Sequence, residues 1–229
     1  MGEGMKALVA ACLALGIGAA RADDLGRLRV LADQGDARSQ YDLGSAYEKG
    51  TAVRRDLAEA RRWWRKSAEQ GYPPAQFNMG VAYARGDAVR IDMQAAAKWF
   101  RRAADQGHAE SQYALGMLCA TGDGQPKDMR EAVSWWRKAA DQGHSDAQLN
   151  VGIAYARGDG IAPDRAEALR WYRESAMKGN VKAQYNLGVL YAKGDGVPQD
   201  RDESARWLGM AAKQGYAPAA RLLKELEKL

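Results

Sequence analysis

Apolar residues recur along this chain in two helical rhythms that alternate. In the segment 181–193, Ala183, Leu187, Gly188 and Tyr191 share one face with Gln184 at a spacing of 3.6 residues. A second face follows over 201–213, where Trp207, Leu208, Ala211 and Ala212 recur with Ser204 at the same spacing. Gly194 closes the first predicted helix as a left-handed residue, and Asp200 opens the second as an N-cap. The pattern returns without gaps every 36 residues, starting at Ala37, Pro73, Ala109, Ser145 and Val181. A sixth start at Ala217 runs out at Leu229, and residues 24 to 36 read as the closing half of a unit. A lone helix pair cannot bury both its faces, so the predicted fold is all-α, with stacked helix pairs.

Repeat position 8 is always glycine: Gly44, Gly80, Gly116, Gly152 and Gly188. Position 27 is always tryptophan: Trp63, Trp99, Trp135, Trp171 and Trp207. Position 11 is tyrosine except at Cys119. The two remaining tryptophans, Trp64 and Trp136, share position 28 with Phe100, Tyr172 and Leu208, so that site asks for bulk and not for indole. These rings are predicted core, not stacking platforms for a ligand. Each second helix opens at Asp56, Asp92, Asp128, Asp164 or Asp200, and Glu59, Glu131, Glu167 and Glu203 complete predicted capping boxes. Ala52 and Ala88 stand where later loops have Gly124, Gly160 and Gly196, which predicts a different turn in the first two loops.

The phrases "AQYNLGVLYAKGDGVPQD" and "ARWLGMAAKQG" resemble the Sel-one-like repeat (SLR) family, relatives of the tetratricopeptide repeat, over residues 24 to 229. The resemblance implies a right-handed α/α superhelical solenoid of five helix pairs (37–72, 73–108, 109–144, 145–180, 181–216). Capping helices are expected at 23–36 and 217–229. It also implies first helices lining a concave groove, and adaptor or scaffold work at the cell envelope. Some secreted members carry a disulfide in each repeat and are linked to β-lactam binding; this chain lacks those cysteines.

Two polar stripes remain once core positions are set aside. On the first helices, position 6 holds Asp42, Asn78, Ala114, Asn150 and Asn186, and position 13 holds Lys49, Arg85, Thr121, Arg157 and Lys193. If these line the groove, the asparagines can donate to and accept from a peptide backbone, and the cations favour an acidic peptide or carboxylate. Alternatively, each Asn bonds neighbouring backbone and the cations are solvated. Tyr41, Phe77, Tyr113 and Tyr185 border this stripe, as groove floor or as packing between repeats. On the second helices, positions 26, 29 and 30 carry a basic stripe (Arg62, Arg65, Lys66 and their equivalents) read as lying opposite the tryptophans. It would meet an acidic partner or anionic lipid, or serve solubility alone.

Composition narrows the partner. The chain is 46% hydrophobic and 28% charged with a formal net charge of +5, which fits a soluble globular protein and is too weakly basic to imply nucleic acid. Lys6 followed by an apolar run from Ala7 to Ala20 and "ARA" reads as a signal peptide over 1–22, with cleavage after Ala22 and a periplasmic or secreted product. "VAAC" ending at Cys12 is the alternative, a lipoprotein box. Cleavage after Ala22 leaves Cys119 alone, read as a buried thiol or a redox sensor.

Chemistry is sparse. His108 and His144 occupy the same turn position and form no zinc constellation. "SAMK" at Ser175–Lys178 matches Ser-x-x-Lys only formally. No metal, cofactor or catalytic residue is expected. The sequence reading is a non-enzymatic exported scaffold, monomer or weak homodimer, that takes a protein or peptide at Asp42, Asn78, Asn150, Asn186, Lys49, Arg85, Arg157, Lys193, Tyr41, Phe77, Tyr113 and Tyr185. The alternative is a receptor for a peptidoglycan fragment or anionic glycan contacted by the position-13 cations; a β-lactam-interacting hydrolase ranks last.

Overall fold

A computed structural model describes residues 22–226; the signal-peptide reading falls on residues outside these, apart from Ala22. The described residues contain twelve α-helices and no strand. In chain order they are α1 (Ala22–Asp33), α2 (Ala37–Lys49), α3 (Leu57–Glu69), α4 (Pro73–Arg85), α5 (Met93–Asp105) and α6 (Ala109–Thr121). Then follow α7 (Met129–Asp141), α8 (Ser145–Arg157), α9 (Arg165–Met177), α10 (Val181–Lys193), α11 (Arg201–Lys213) and α12 (Ala217–Leu226). They form two compact bodies, one up to Lys127 and one from Asp128 onward.

The same local chemistry builds both bodies. Each second helix starts because an Asp side chain accepts from amides of its first turn: Asp56 from Ala58 and Glu59, Asp164 from Glu167. Each first helix ends on a left-handed glycine, with φ of 70° at Gly50 and 77° at Gly158. The predicted capping boxes form only by half. The amide of Asp56 donates instead to the Tyr47 carbonyl at 3.0 Å, and Asp164 repeats this with Tyr155. The glutamates turn forward: Glu59 accepts from Arg62 at 2.8 Å, and Glu203 accepts from Trp207 Nε1 at 2.9 Å.

Position 8 shows why glycine recurs. A Cβ built on Gly44 would stand 2.6 Å from the Trp64 ring, and one on Gly152 would stand 2.7 Å from Tyr172. Gly80 and Gly188 seat Phe100 and Leu208 in the same way. The bulk at position 28 therefore fills a notch that only a residue without a side chain leaves open. Position 27 is buried beside it in four repeats, with Trp63 and Trp171 each 2% exposed, and is half-buried at Trp99. Burying such a ring contributes about 1.5–3 kcal/mol or more per residue.

The first two loops do not adopt another turn. Ala52 (φ 60°) and Ala88 (φ 54°) enter the left-handed region that Gly124 (φ 75°), Gly160 (φ 73°) and Gly196 (φ 76°) occupy later. Closure of the loop outweighs the steric preference of alanine there.

The candidate interaction surface

The first-helix stripe divides into open and closed members. Lys49, Arg157 and Lys193 are exposed, whereas Asp42, Asn78, Arg85, Asn150 and Asn186 are half-buried. No hydrogen bond joins the side chain of Asn78 or Asn186 to another of the described residues. Asp42 meets Arg38 only at 4.0 Å, and burial raises its carboxyl above the ordinary range with Arg38 opposing. Arg85 lies 3.8 Å from Asp87. Burial also raises Glu48 on the same helix as Asp42.

The aromatic members with ring contacts make them inside their own repeats. Phe77 is 5% exposed, with its ring 5.6 Å from Phe100 and 5.4 Å from His108; Tyr113 is 8% exposed. Neither is open to a partner, because both rings are used to bury apolar area. Tyr41 stacks edge-on with Tyr72, and Tyr185 with Tyr216, each pair at 5.4 Å. Both remain half-buried and border the stripe.

The basic stripe does not lie opposite the tryptophans. Lys66 Nζ sits 4.2 Å from the centroid of Trp63, Lys138 Nζ 3.8 Å from Trp135, and the Arg170 guanidinium 4.1 Å from Trp171. Positions 26 and 30 flank position 27 on the helix surface, so their cations settle over the indole face. Position 29 has a separate partner. Arg29 donates to the Tyr47 hydroxyl at 2.9 Å, Arg65 to Tyr83 at 2.9 Å, and Arg173 to Tyr191 at 2.6 Å. These arginines are joints between successive repeats, and a constant separation of 18 residues between Arg and Tyr was the available signal.

A second joint explains the repeated Gln of "AQ". Gln76 Nε2 donates to the Ala68 carbonyl at 3.2 Å, and its Oε1 accepts from Gln106 at 2.8 Å. Gln40 and Gln184 repeat both bonds. Repeat four departs from this: Lys178 replaces the second glutamine and donates to the Gly143 carbonyl at 2.6 Å. Gln148 Oε1 is then buried without a donor.

The remaining candidate chemistry resolves into structure. Ser175 is fully buried and donates to the Ser145 carbonyl at 2.7 Å, so "SAMK" presents no nucleophile. His108 and His144 are N-caps whose Nδ1 atoms accept from Ser111 and Ala147. Cys119 is buried and takes a hydrogen bond from Gln125 Nε2 at 2.7 Å, in the place where other repeats put a tyrosine. Among the described residues no group of three or more His, Cys, Asp or Glu could hold a metal ion. Among them also, no helix is long and apolar enough to cross a membrane.

Comparison with known proteins follows the same register. A Sel1 repeat family model matches residues 37–72, 73–108, 109–144, 145–180 and 181–216. Among solved structures, a protective antigen present in uropathogenic Escherichia coli strains, which displays an SLR fold, is 36% identical with a TM-score of 0.85. The match covers 88% of this chain but only 43% of that antigen, so this chain spans less than half its length. A Sel1 repeat protein from Oxalobacter formigenes is 35% identical with a TM-score of 0.82, over 88% of this chain and 80% of its own. An immunity protein from Pseudomonas aeruginosa, at 17% identity and a TM-score of 0.55, shares the fold alone. No curated protein matches. With glycine, tryptophan and glutamine each doing the same structural work in successive helix pairs, and a family match spanning all five, the chain belongs to the Sel1 repeat family.

Proposed function

We propose that this protein is an exported, non-enzymatic scaffold that holds a peptide or protein partner on its first-helix face, with α1 and α12 as end caps. One observation carries the reading. Several recurring polar positions are consumed inside the fold: Asp in caps, the Gln of "AQ" and the position-29 Arg in joints between repeats. Asn78 and Asn186 recur without any such bond. A half-buried amide that makes no internal bond keeps both a donor and an acceptor for a ligand, and peptide backbone supplies the matching pair. The exposed Lys49, Arg157 and Lys193, at position 13 of the first helices, favour an acidic segment. Export rests on the apolar segment 7–20 and the "ARA" that follows.

The test is capture from envelope extracts by crosslinking and mass spectrometry. Changing Asn78, Asn150 and Asn186 together to Ala is expected to leave helicity intact and weaken capture about tenfold or more, as loss of several ligand hydrogen bonds would. Unchanged capture overturns the reading. Saturable muropeptide binding that is lost on changing Arg157 and Lys193 to Ala would favour a glycan receptor instead.

A further inference from the structure

Position 23, in the first turn of each second helix, holds a glutamate in four repeats: Glu59, Glu131, Glu167 and Glu203. Each carboxylate takes the cation at position 26, the indole N–H at position 27, or both. Glu59 accepts from Arg62 at 2.8 Å, and Glu167 accepts from Arg170 at 2.9 Å. Glu131 accepts from Trp135 Nε1 at 3.1 Å. Glu203 accepts from Arg206 at 3.0 Å and from Trp207 Nε1 at 2.9 Å. Repeat two breaks the pattern, because Ala95 stands at position 23.

The donors that a glutamate would meet are still in place. Lys98 is exposed, and Trp99 is half-buried, unlike the other four tryptophans of position 27. Neither the Lys98 ammonium nor Trp99 Nε1 has a hydrogen-bond or ion-pair partner among the described residues. The exposed Arg102 lays its guanidinium 4.6 Å from the centroid of Trp99. The same indole packs against the core cluster that contains Ala68 and Met79, which holds it in position. A further cation comes from the preceding repeat. Arg65 donates to the Tyr83 hydroxyl, and Arg137 makes the equivalent bond to Tyr155. That bond does not spend the charge: Arg170 first, and Arg137 among the rest, hold the Glu167 carboxyl below the ordinary carboxylate range. By the same register Arg65 stands beside Ala95. Of the acids nearby, Asp92 accepts the Ala95 amide at 2.9 Å as N-cap. Glu69 corresponds in register to Asp33, whose effect on Arg62 ranks behind that of Glu59, and it forms no ion pair with Lys98.

We propose that repeat two takes a carboxylate from a partner protein. A Glu or Asp side chain of an acidic segment fills the place that the chain's own glutamate fills elsewhere, and accepts from Trp99 Nε1 and Lys98. The four sister repeats identify the occupant, since the same constellation holds a carboxylate in each of them. The site lies on the second helices, goes beyond the first-helix reading and uses none of its residues.

Capped hexaglutamate is the probe and hexaglutamine the control. The protein is isotope-labelled at its indole nitrogens, and Trp99→Phe assigns the resonance. At low salt and neutral pH the Trp99 indole N–H is expected to shift saturably with hexaglutamate and to stay in place with hexaglutamine. Lys98→Ala should weaken binding about fivefold or more. Ala95→Glu restores the missing carboxylate from within the chain. It should move the Trp99 resonance toward its peptide-bound position with no peptide present, and weaken hexaglutamate binding about tenfold or more while the fold is retained. Changing Arg157 and Lys193 to Ala should leave the Trp99 shift unaltered, which separates this site from the first-helix face. An unmoved Trp99 resonance, or equal binding by Ala95→Glu, would overturn the proposal. So would a shift that inorganic phosphate produces and hexaglutamate does not.

Discussion

Arg137 donates through Nη1 to the hydroxyl of Tyr155 at 2.7 Å, tying the second helix of one repeat to the first helix of the next. The bond joins a charged donor to a neutral acceptor, and Tyr155 is itself buried. Tyr155→Phe is expected to cost about 1 kcal/mol in urea unfolding, with solvent at the exposed arginine reducing the effect. Arg137→Met should cost a similar amount. The double variant then loses less than the sum of the two; strict additivity would show that the joint contributes nothing.

Repeat four carries a defect that its neighbours lack. Gln148 Oε1 is buried without a donor because Lys178 stands where Gln70, Gln106 and Gln214 serve the other repeats. Lys178→Gln supplies the missing amide. Stability is expected to rise by about 1 kcal/mol, the usual penalty of an unpaired buried acceptor. An unmoved urea midpoint would mean that the acceptor is already satisfied by water.

The loops make paired predictions of opposite sign. Ala52→Gly and Ala88→Gly relieve alanines held at φ of 60° and 54°. Each is expected to stabilise by about 0.5–1 kcal/mol after the added freedom of the unfolded chain is subtracted. Gly160→Ala should destabilise by more than that, because its new Cβ would collide with the Met129 carbonyl as well as carry the strain. Thermal unfolding of the three single variants decides the matter.

His108 makes stability depend on pH. Burial holds its imidazole below the ordinary value near 6.5, although Glu110 at 3.4 Å opposes this. Nδ1 accepts the Ser111 amide, which the protonated ring cannot do. The unfolded chain binds the proton more readily, so the contribution is present above pH 6.5 and is lost as pH falls toward the depressed value. Asn180 performs the same cap in repeat four with no titrating group. His108→Asn is therefore expected to keep the fold near pH 7.5 and to lose less melting temperature than the parent at pH 5. Equal losses in the two proteins would remove His108 as the cause.

The sequence alone determined the helix pairs, their 36-residue register and the burial of the tryptophans other than the half-buried Trp99, because caps and periodicity are local and repeat five times. The glycine of Gly44 recurs in every repeat with a bulky residue at the position of Trp64, and a recurring small residue paired with recurring bulk is readable before any coordinates. What only the tertiary structure decided is which surface residues are already spent. Arg65 and Asn78 look equally polar in sequence, yet Arg65 is bound to Tyr83 and Asn78 makes no such bond. Phe77 sits among groove candidates by spacing but is closed off by Phe100 and His108. The physical reason is that a side chain's bonding depends on what the neighbouring repeat brings within about 3 Å, and spacing along one helix carries no record of that distance.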